Sequence, residues 1–200
     1  MELDEKTSWN KKYSEGSHTS LEPDPLLVTA YDEFLTARPP GAMLDVAGGV
    51  GRHAIWLAKR GWRARLLDIS EVGIGLAEKN ASRALGPVAK EFLITAEVAD
   101  LNSVQDLGRE EYDVVLVFYY LQRELFPALI SALKPGGLLI YKTYTTEQQR
   151  CSGGLSKSGP SHPMFLLEPN ELLRAFQPLR ILHYHETITE KGVAELVGMK

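Results

Sequence analysis

The stretch Leu44-Asp45-Val46-Ala47-Gly48-Gly49-Val50-Gly51-Arg52 decides the fold. An apolar strand, Met43 to Ala47, runs into a glycine-rich turn, and a helix follows from Arg52 to Arg60, stopped by Gly61. Outward from it, the same alternation recurs. Arg65 to Asp68 reads as a second strand, and Val72, Ile74, Ala77, Ala81, Ala84 and Leu85 mark a second helix. Phe92 to Val98 reads as a third strand, with Asp100 just beyond it. Tyr112 to Tyr120 is apolar on both faces and rich in valine and aromatics, which predicts a buried central strand of a parallel sheet. Leu125, Leu129, Ile130 and Leu133 form a helical stripe. Lys134-Pro135-Gly136-Gly137 then turns the chain into a fifth strand, Leu138 to Thr143.

Beyond a loop at 144–163, residues 168–176 read as a further helix. Two last strands, 180–187 and 193–199, flank the hairpin-like link Thr189-Glu190-Lys191-Gly192, so one of them runs antiparallel. Strand-helix-strand units with short links predict an α/β fold: a doubly wound, mostly parallel, seven-stranded Rossmann-like sheet with one antiparallel strand near the C-terminus. Residues 1–200 are expected to form one domain. Within it, 1–40 form a helical cap and 41–200 an α/β core, with a lid loop at 144–163. In the cap, Leu27, Ala30, Tyr31, Phe34 and Leu35 recur at helical spacing, and Trp9 and Tyr13 stand four apart on one helical face.

Composition narrows the function. With 22 Lys and Arg against 26 Asp and Glu, the net charge is -4, which gives no bulk electrostatic case for nucleic acid. A single cysteine excludes a disulfide framework and a cysteine-cluster zinc site. The acidic start Met1-Glu2-Leu3-Asp4-Glu5-Lys6 is not a secretory leader, and the longest apolar run, Val114 to Leu121, is too short for a membrane span. A cytoplasmic protein without membrane or nucleic-acid partners is expected, as a monomer or weak homodimer.

In an open α/β sheet, ligands bind beyond the carboxyl ends of the strands. Asp45, Ala47, Gly48, Gly49 and Gly51 lie there, followed by Arg52, then Asp68 with Ile69, then Asp100 with Leu101, and Phe118 at the end of the fourth strand. Glycines let the backbone approach a ligand where a Cβ would clash. A carboxylate at the end of the second strand can accept two hydrogen bonds from a ribose diol. These features describe a nucleoside-bearing cofactor. Gly49-x-Gly51-x-x-Ala54 with Asp68 matches the dinucleotide fingerprint, so a nicotinamide-dependent oxidoreductase stays open. Asp45 argues the other way: a carboxylate ahead of the glycines repels a pyrophosphate but suits an amino group. Asp100 suits an adenine amino group.

The chain resembles the class I S-adenosylmethionine-dependent methyltransferases over residues 41–145. Their motif acid-x-Gly-x-Gly-x-Gly is matched by Asp45, Ala47, Gly49 and Gly51, with Ala47 replacing the first glycine. The resemblance implies S-adenosyl-L-methionine as cofactor. Gly49 and Gly51 would then pass beneath its methionine part, Asp68 would hold the ribose hydroxyls, and Asp100 with Leu101 would frame the adenine. The Lys-Pro-Gly-Gly turn is a frequent family marker. Trp9-Asn10-Lys11-Lys12-Tyr13, and a helix with Pro23 and Pro25 near its start, look like the small-molecule branch that includes tellurite-resistance and thiopurine methyltransferases. A small-molecule methyl acceptor follows from that likeness. A methyltransferase-like binding module without catalysis is the further alternative.

Catalytic residues are not fixed by the sequence. Tyr119 and Arg123 are the candidates, set against packing for the tyrosine and a surface charge for the arginine. His53 and Trp56 read as packing residues. His183 and His185 alternate on one strand face with no third ligand in view, so no metal is expected. Cys151 opens the glycine-rich stretch to Pro163 that suggests a lid.

Overall fold

Val114, Val115 and Leu116 expose no surface, as a strand covered on both faces requires. The computed structural model describes residues 4–103, 106–151, 159–160, 162–189 and 191–200. Seven strands are present among the described residues. The chain divides into two compact units, residues 1–105 and 106–200.

The first unit holds α1 (Glu5–Ser14), α2 (Pro25–Phe34), β1 (Ala42–Val46), α3 (Arg52–Ala58), β2 (Arg63–Asp68), α4 (Glu71–Leu85), α5 (Pro87–Leu93) and β3 (Ile94–Val98). β1 pairs in parallel with β2, and β2 with β3. Helix starts follow local chemistry. Asp24 caps α2 by accepting from the Leu26 N–H at 3.0 Å, with Pro25 in the first turn. Ser70 caps α4 by accepting from the Gly73 N–H at 3.0 Å. The expected packing role of His53 holds: it is buried, and its Nε2 accepts from the Asp24 N–H at 3.3 Å. Trp56 meets Tyr31 edge-on at 5.2 Å, and the Arg60 guanidinium lies 3.4 Å above its ring.

The second unit holds β4 (Tyr112–Phe118), α6 (Phe126–Ala132), β5 (Leu133–Tyr144), α7 (Gln148–Cys151), α8 (Glu171–Ala175), β6 (Arg180–Thr187) and β7 (Val193–Met199). β4 and β5 are parallel, while β7 runs antiparallel to both β5 and β6. The expected antiparallel strand is therefore β7. Phe176 is wholly buried, with Phe126 at 5.0 Å and Tyr141 at 5.7 Å between ring centroids.

Three local departures have physical causes. The strand expected from Phe92 begins at Ile94, because Gly86 ends α4 and Pro87 opens α5. No residue of α5 is buried and Phe92 is 75% exposed, so the segment carries no apolar periodicity. Lys134 to Gly137 do not precede the fifth strand but form an irregularity within it, where pairing jumps from Tyr112↔Leu133 to Val114↔Leu138. A Cβ on Gly137 would stand 2.9 Å from the Lys134 carbonyl oxygen, so only glycine fits there. The helix expected at 168–176 is confined to α8. The lid expected at 144–163 falls in part outside the described residues, at 152–158 and 161, as does the side chain of Cys151.

Phe176→Ala should cost about 3–5 kcal/mol of stability, the range for truncating a fully packed aromatic. Urea denaturation of the two proteins measures the difference.

Candidate cofactor site

The carboxyl ends of β1 and β2 build the site within the first unit. After Val46 the backbone takes left-handed conformations at Ala47 (φ 55°), Gly49 (φ 56°) and Gly51 (φ 81°). The turn is fastened from both sides. The Gly48 N–H donates to the Leu67 carbonyl at 3.0 Å, and the Gly49 N–H donates to Asp68 Oδ2 at 2.8 Å. Asp68 Oδ1 accepts from the Ser70 N–H at 2.9 Å, so this one buried side chain ties the glycine turn to the start of α4. Each of its oxygens keeps a further acceptor direction for a ligand. Burial raises its pKa, and the two backbone N–H groups act in the opposite sense.

Asp45 is 1% exposed and accepts from the Ala54 N–H at 3.2 Å through Oδ2. Burial pushes its pKa up to about 7, against lowering by Arg52 and the Ala54 N–H; nearby Asp68 raises it further. Arg52 opens α3 beside them. Asp100 lies exposed past β3 and accepts from the Asn102 N–H at 2.9 Å, while Leu101 beside it is buried. Ile69 is half-buried between Asp68 and Ser70.

The N-terminal helix closes over this turn. Asn10 Oδ1 accepts from Ser70 Oγ at 2.6 Å and from the Val72 N–H at 3.3 Å, and Lys6 pairs with Glu71. Trp9 stacks on Tyr13 at 5.6 Å. A Cβ on Gly49 would stand 2.5 Å from the Tyr13 hydroxyl, and one on Gly73 would stand 2.9 Å from its ring. The space above Gly49 thus holds a tyrosine of the same chain. The aromatic pair is legible in the sequence, whereas this contact and the role of Asn10 are not. The Trp-Asn-Lys-Lys-Tyr stretch was the available signal.

The remaining candidates lie in the second unit. Phe118 is buried at the end of β4. Tyr119 follows it with φ 59°, an uncommon conformation for an aromatic residue. Its N–H donates to the Lys142 carbonyl at 2.7 Å, and its ring lies 5.2 Å from that of Tyr144. Arg123 is occupied as a clamp. It bonds Glu171 at 2.6 and 2.9 Å and donates to the Met164 and Leu166 carbonyls at 3.0 and 2.9 Å. His183 Nε2 lies 3.8 Å from Glu195 Oε2. Among the described residues, no three His, Cys, Asp or Glu side chains cluster as metal ligands, and no helix is long and apolar enough to cross a membrane.

Residues 43–137 match the model of the methyltransferase domain family. The fold is shared with solved structures at low identity. TehB from Haemophilus influenzae is 15% identical with a TM-score of 0.71, covering 96% of this chain and 67% of that one. An S-adenosylmethionine-dependent methyltransferase from Mesorhizobium loti is 18% identical with a TM-score of 0.68, covering 90% and 100%. Magnesium protoporphyrin IX methyltransferase from Synechocystis, solved with bound S-adenosylhomocysteine, is 19% identical with a TM-score of 0.63, covering 100% and 89%. No curated protein matches the chain. Residues 43–137 thus carry the likeness to the methyltransferase domain, and the fold of the whole chain is the one seen in these solved structures.

Two stability predictions follow from the turn. Ala47→Gly removes a side chain from a left-handed position that costs an L-residue about 1–2 kcal/mol, partly offset by the unfolded-state freedom of glycine. Melting should rise by roughly 2–4 °C per kcal/mol gained. Asp45 binds its proton more tightly folded than unfolded, where its ordinary value is 3.8. Its ionisation therefore costs stability as pH rises from about 4 to 7, and the cost is complete above that. Asp45→Asn should match the wild type in melting temperature near pH 4 and exceed it at pH 8, which calorimetry across that range will read.

Proposed function

We propose that this protein transfers a methyl group from S-adenosylmethionine to a small-molecule acceptor by in-line displacement. The observation that carries this reading is the set of three acids, Asp45, Asp68 and Asp100, set after or within successive parallel strands around a glycine turn. The donor set fits the cofactor. Asp68 keeps acceptor capacity for a ribose diol, Asp45 and Arg52 offer opposite charges to an amino-acid zwitterion, and Asp100 with Leu101 offers a polar edge and an apolar wall to adenine. A buried carboxylate at Asp45 suits an ammonium group and opposes a pyrophosphate.

Bound S-adenosylmethionine supplies a methyl group already activated on a sulfonium. The chain then contributes alignment and exclusion of water, and alignment alone can be worth roughly 7–11 kcal/mol in well-oriented systems. A soft or anionic nucleophile needs no general base. We assign acceptor contact to Tyr119, whose strained backbone is typical of functional positions; Arg123 is committed to Glu171 and two carbonyls. A small acceptor is in keeping with the net charge of -4 and with the porphyrin substrate named for the Synechocystis neighbour. We read 1–40 as the cap of a single catalytic domain acting as a cytoplasmic monomer or weak dimer.

Calorimetric melting with S-adenosylhomocysteine and with NAD tests the reading. A ligand at a hundred times its dissociation constant stabilises by about 2.7 kcal/mol. S-adenosylhomocysteine should raise the melting temperature and NAD should not. The reverse result would reassign the site to a nicotinamide cofactor. Incubation with methyl-labelled cofactor and pooled small metabolites should then transfer label into the small-molecule fraction.

A further inference from the structure

We infer that the Tyr13 hydroxyl binds the amino-acid end of the S-adenosyl cofactor, which makes α1 part of the cofactor site. This rests on the methyltransferase reading above and assigns a contact to a residue that the glycine motif does not include.

Four observations carry it. First, Tyr13 is 7% exposed, yet its hydroxyl makes no hydrogen bond among the described residues. The buried side-chain polar atoms without a partner among the described residues are Thr145 Oγ1 and His183 Nε2, so the Tyr13 oxygen is not sealed in the core but opens to space that a ligand can enter. Its ring has one role already, stacking with Trp9 and filling the hollow over Gly73. Packing thus accounts for the ring, and the hydroxyl is the part left open to a ligand.

Second, the hydroxyl is held where it is. Asn10, one helical turn before Tyr13, is anchored on Ser70 and Val72, and Glu5 accepts from Asn102 Nδ2 at 3.2 Å. The missing side chains of Gly49 and Gly73 form a cradle that admits the ring and sets its tip over the turn. Glycine at 49 thus serves the tyrosine, and a ligand meets the turn alongside the phenol rather than beneath it.

Third, the charges that bear on the hydroxyl are Asp68, Arg52 and Asp45. Two carboxylates and one guanidinium around a neutral donor and acceptor suit a zwitterion. A phosphate would meet net repulsion, and a neutral ligand would waste the charges. The methionine part of the cofactor is the zwitterion that the proposed function already requires.

Fourth, the phenol stays protonated. Burial, then the Asp68 charge, hold its pKa well above the ordinary tyrosine value, against a lowering by Arg52. It can donate to a carboxylate throughout the physiological range.

The test separates the two ends of the cofactor. Wild type and Tyr13→Phe are titrated by calorimetry with S-adenosylhomocysteine and with 5′-methylthioadenosine, which has the same nucleoside but no amino-acid end. Loss of one hydrogen bond to a charged group should raise the S-adenosylhomocysteine dissociation constant about tenfold. Binding of 5′-methylthioadenosine should change less than about twofold, and the ligand-free melting temperature should not fall, since the hydroxyl bonds nothing within the fold. Equal effects on both ligands, or none on either, would overturn the assignment of Tyr13 while leaving the cofactor reading standing. A drop in the ligand-free melt would overturn it too, by showing the hydroxyl bonded inside the protein. Failure of the wild type to bind S-adenosylhomocysteine would remove the cofactor reading and this inference together.

Discussion

The Asp68 carboxylate is the constraint on which the first unit depends. Its two oxygens accept from Gly49 on one side and Ser70 on the other, so the turn after β1 and the start of α4 share one anchor. Ser70 in turn caps α4 and donates to Asn10, and Asn10 fixes α1. Three segments distant in sequence, the turn at Gly49, the stretch from Asp68 to Gly73 and α1, are thereby tied through a short chain of hydrogen bonds. Such a network is costly to leave half made, because each buried N–H that loses its partner pays the full desolvation penalty. Under the proposed function, a side chain that holds the architecture and also keeps lone pairs for the ribose would couple binding to fold at one point.

The second unit is organised by a different device. Arg123 leaves the segment after β4 and grips Glu171 together with the carbonyls of Met164 and Leu166. The guanidinium fork suits this task, since its donors are fixed in one plane and cannot be replaced by a lysine of similar charge. Tyr141, Phe126 and Phe176 form an aromatic core of edge-on and tilted rings.

Most of the fold was legible because its signals are local. Tyr112 to Phe118 reads as a central strand from its own residues, and the turn from Ala47 to Gly51 announces itself through glycine. The acids Asp45, Asp68 and Asp100 were legible for the same reason, as each stands a fixed step past or within a recognisable strand. What escaped is of two kinds. The α5 helix buries nothing, so its residues carry no periodic pattern, and Phe92 was read with the strand that follows it. The contacts of Tyr13 with Gly49 and of Arg123 with Glu171 join distant positions, and no single segment encodes either. A charged side chain in a loop looks the same in sequence whether it faces solvent, a ligand or a partner.

The fit of Tyr13 into the hollow over Gly49 and Gly73 also limits how this lineage can drift. A β-carbon at either glycine is tolerated only where the aromatic ring has already been lost or shortened, and the ring can be regained only after both glycines are in place. The three positions form one evolutionary character, inherited or abandoned as a set. Their joint state in a distant homologue would tell whether its N-terminal helix covers the turn in the same way.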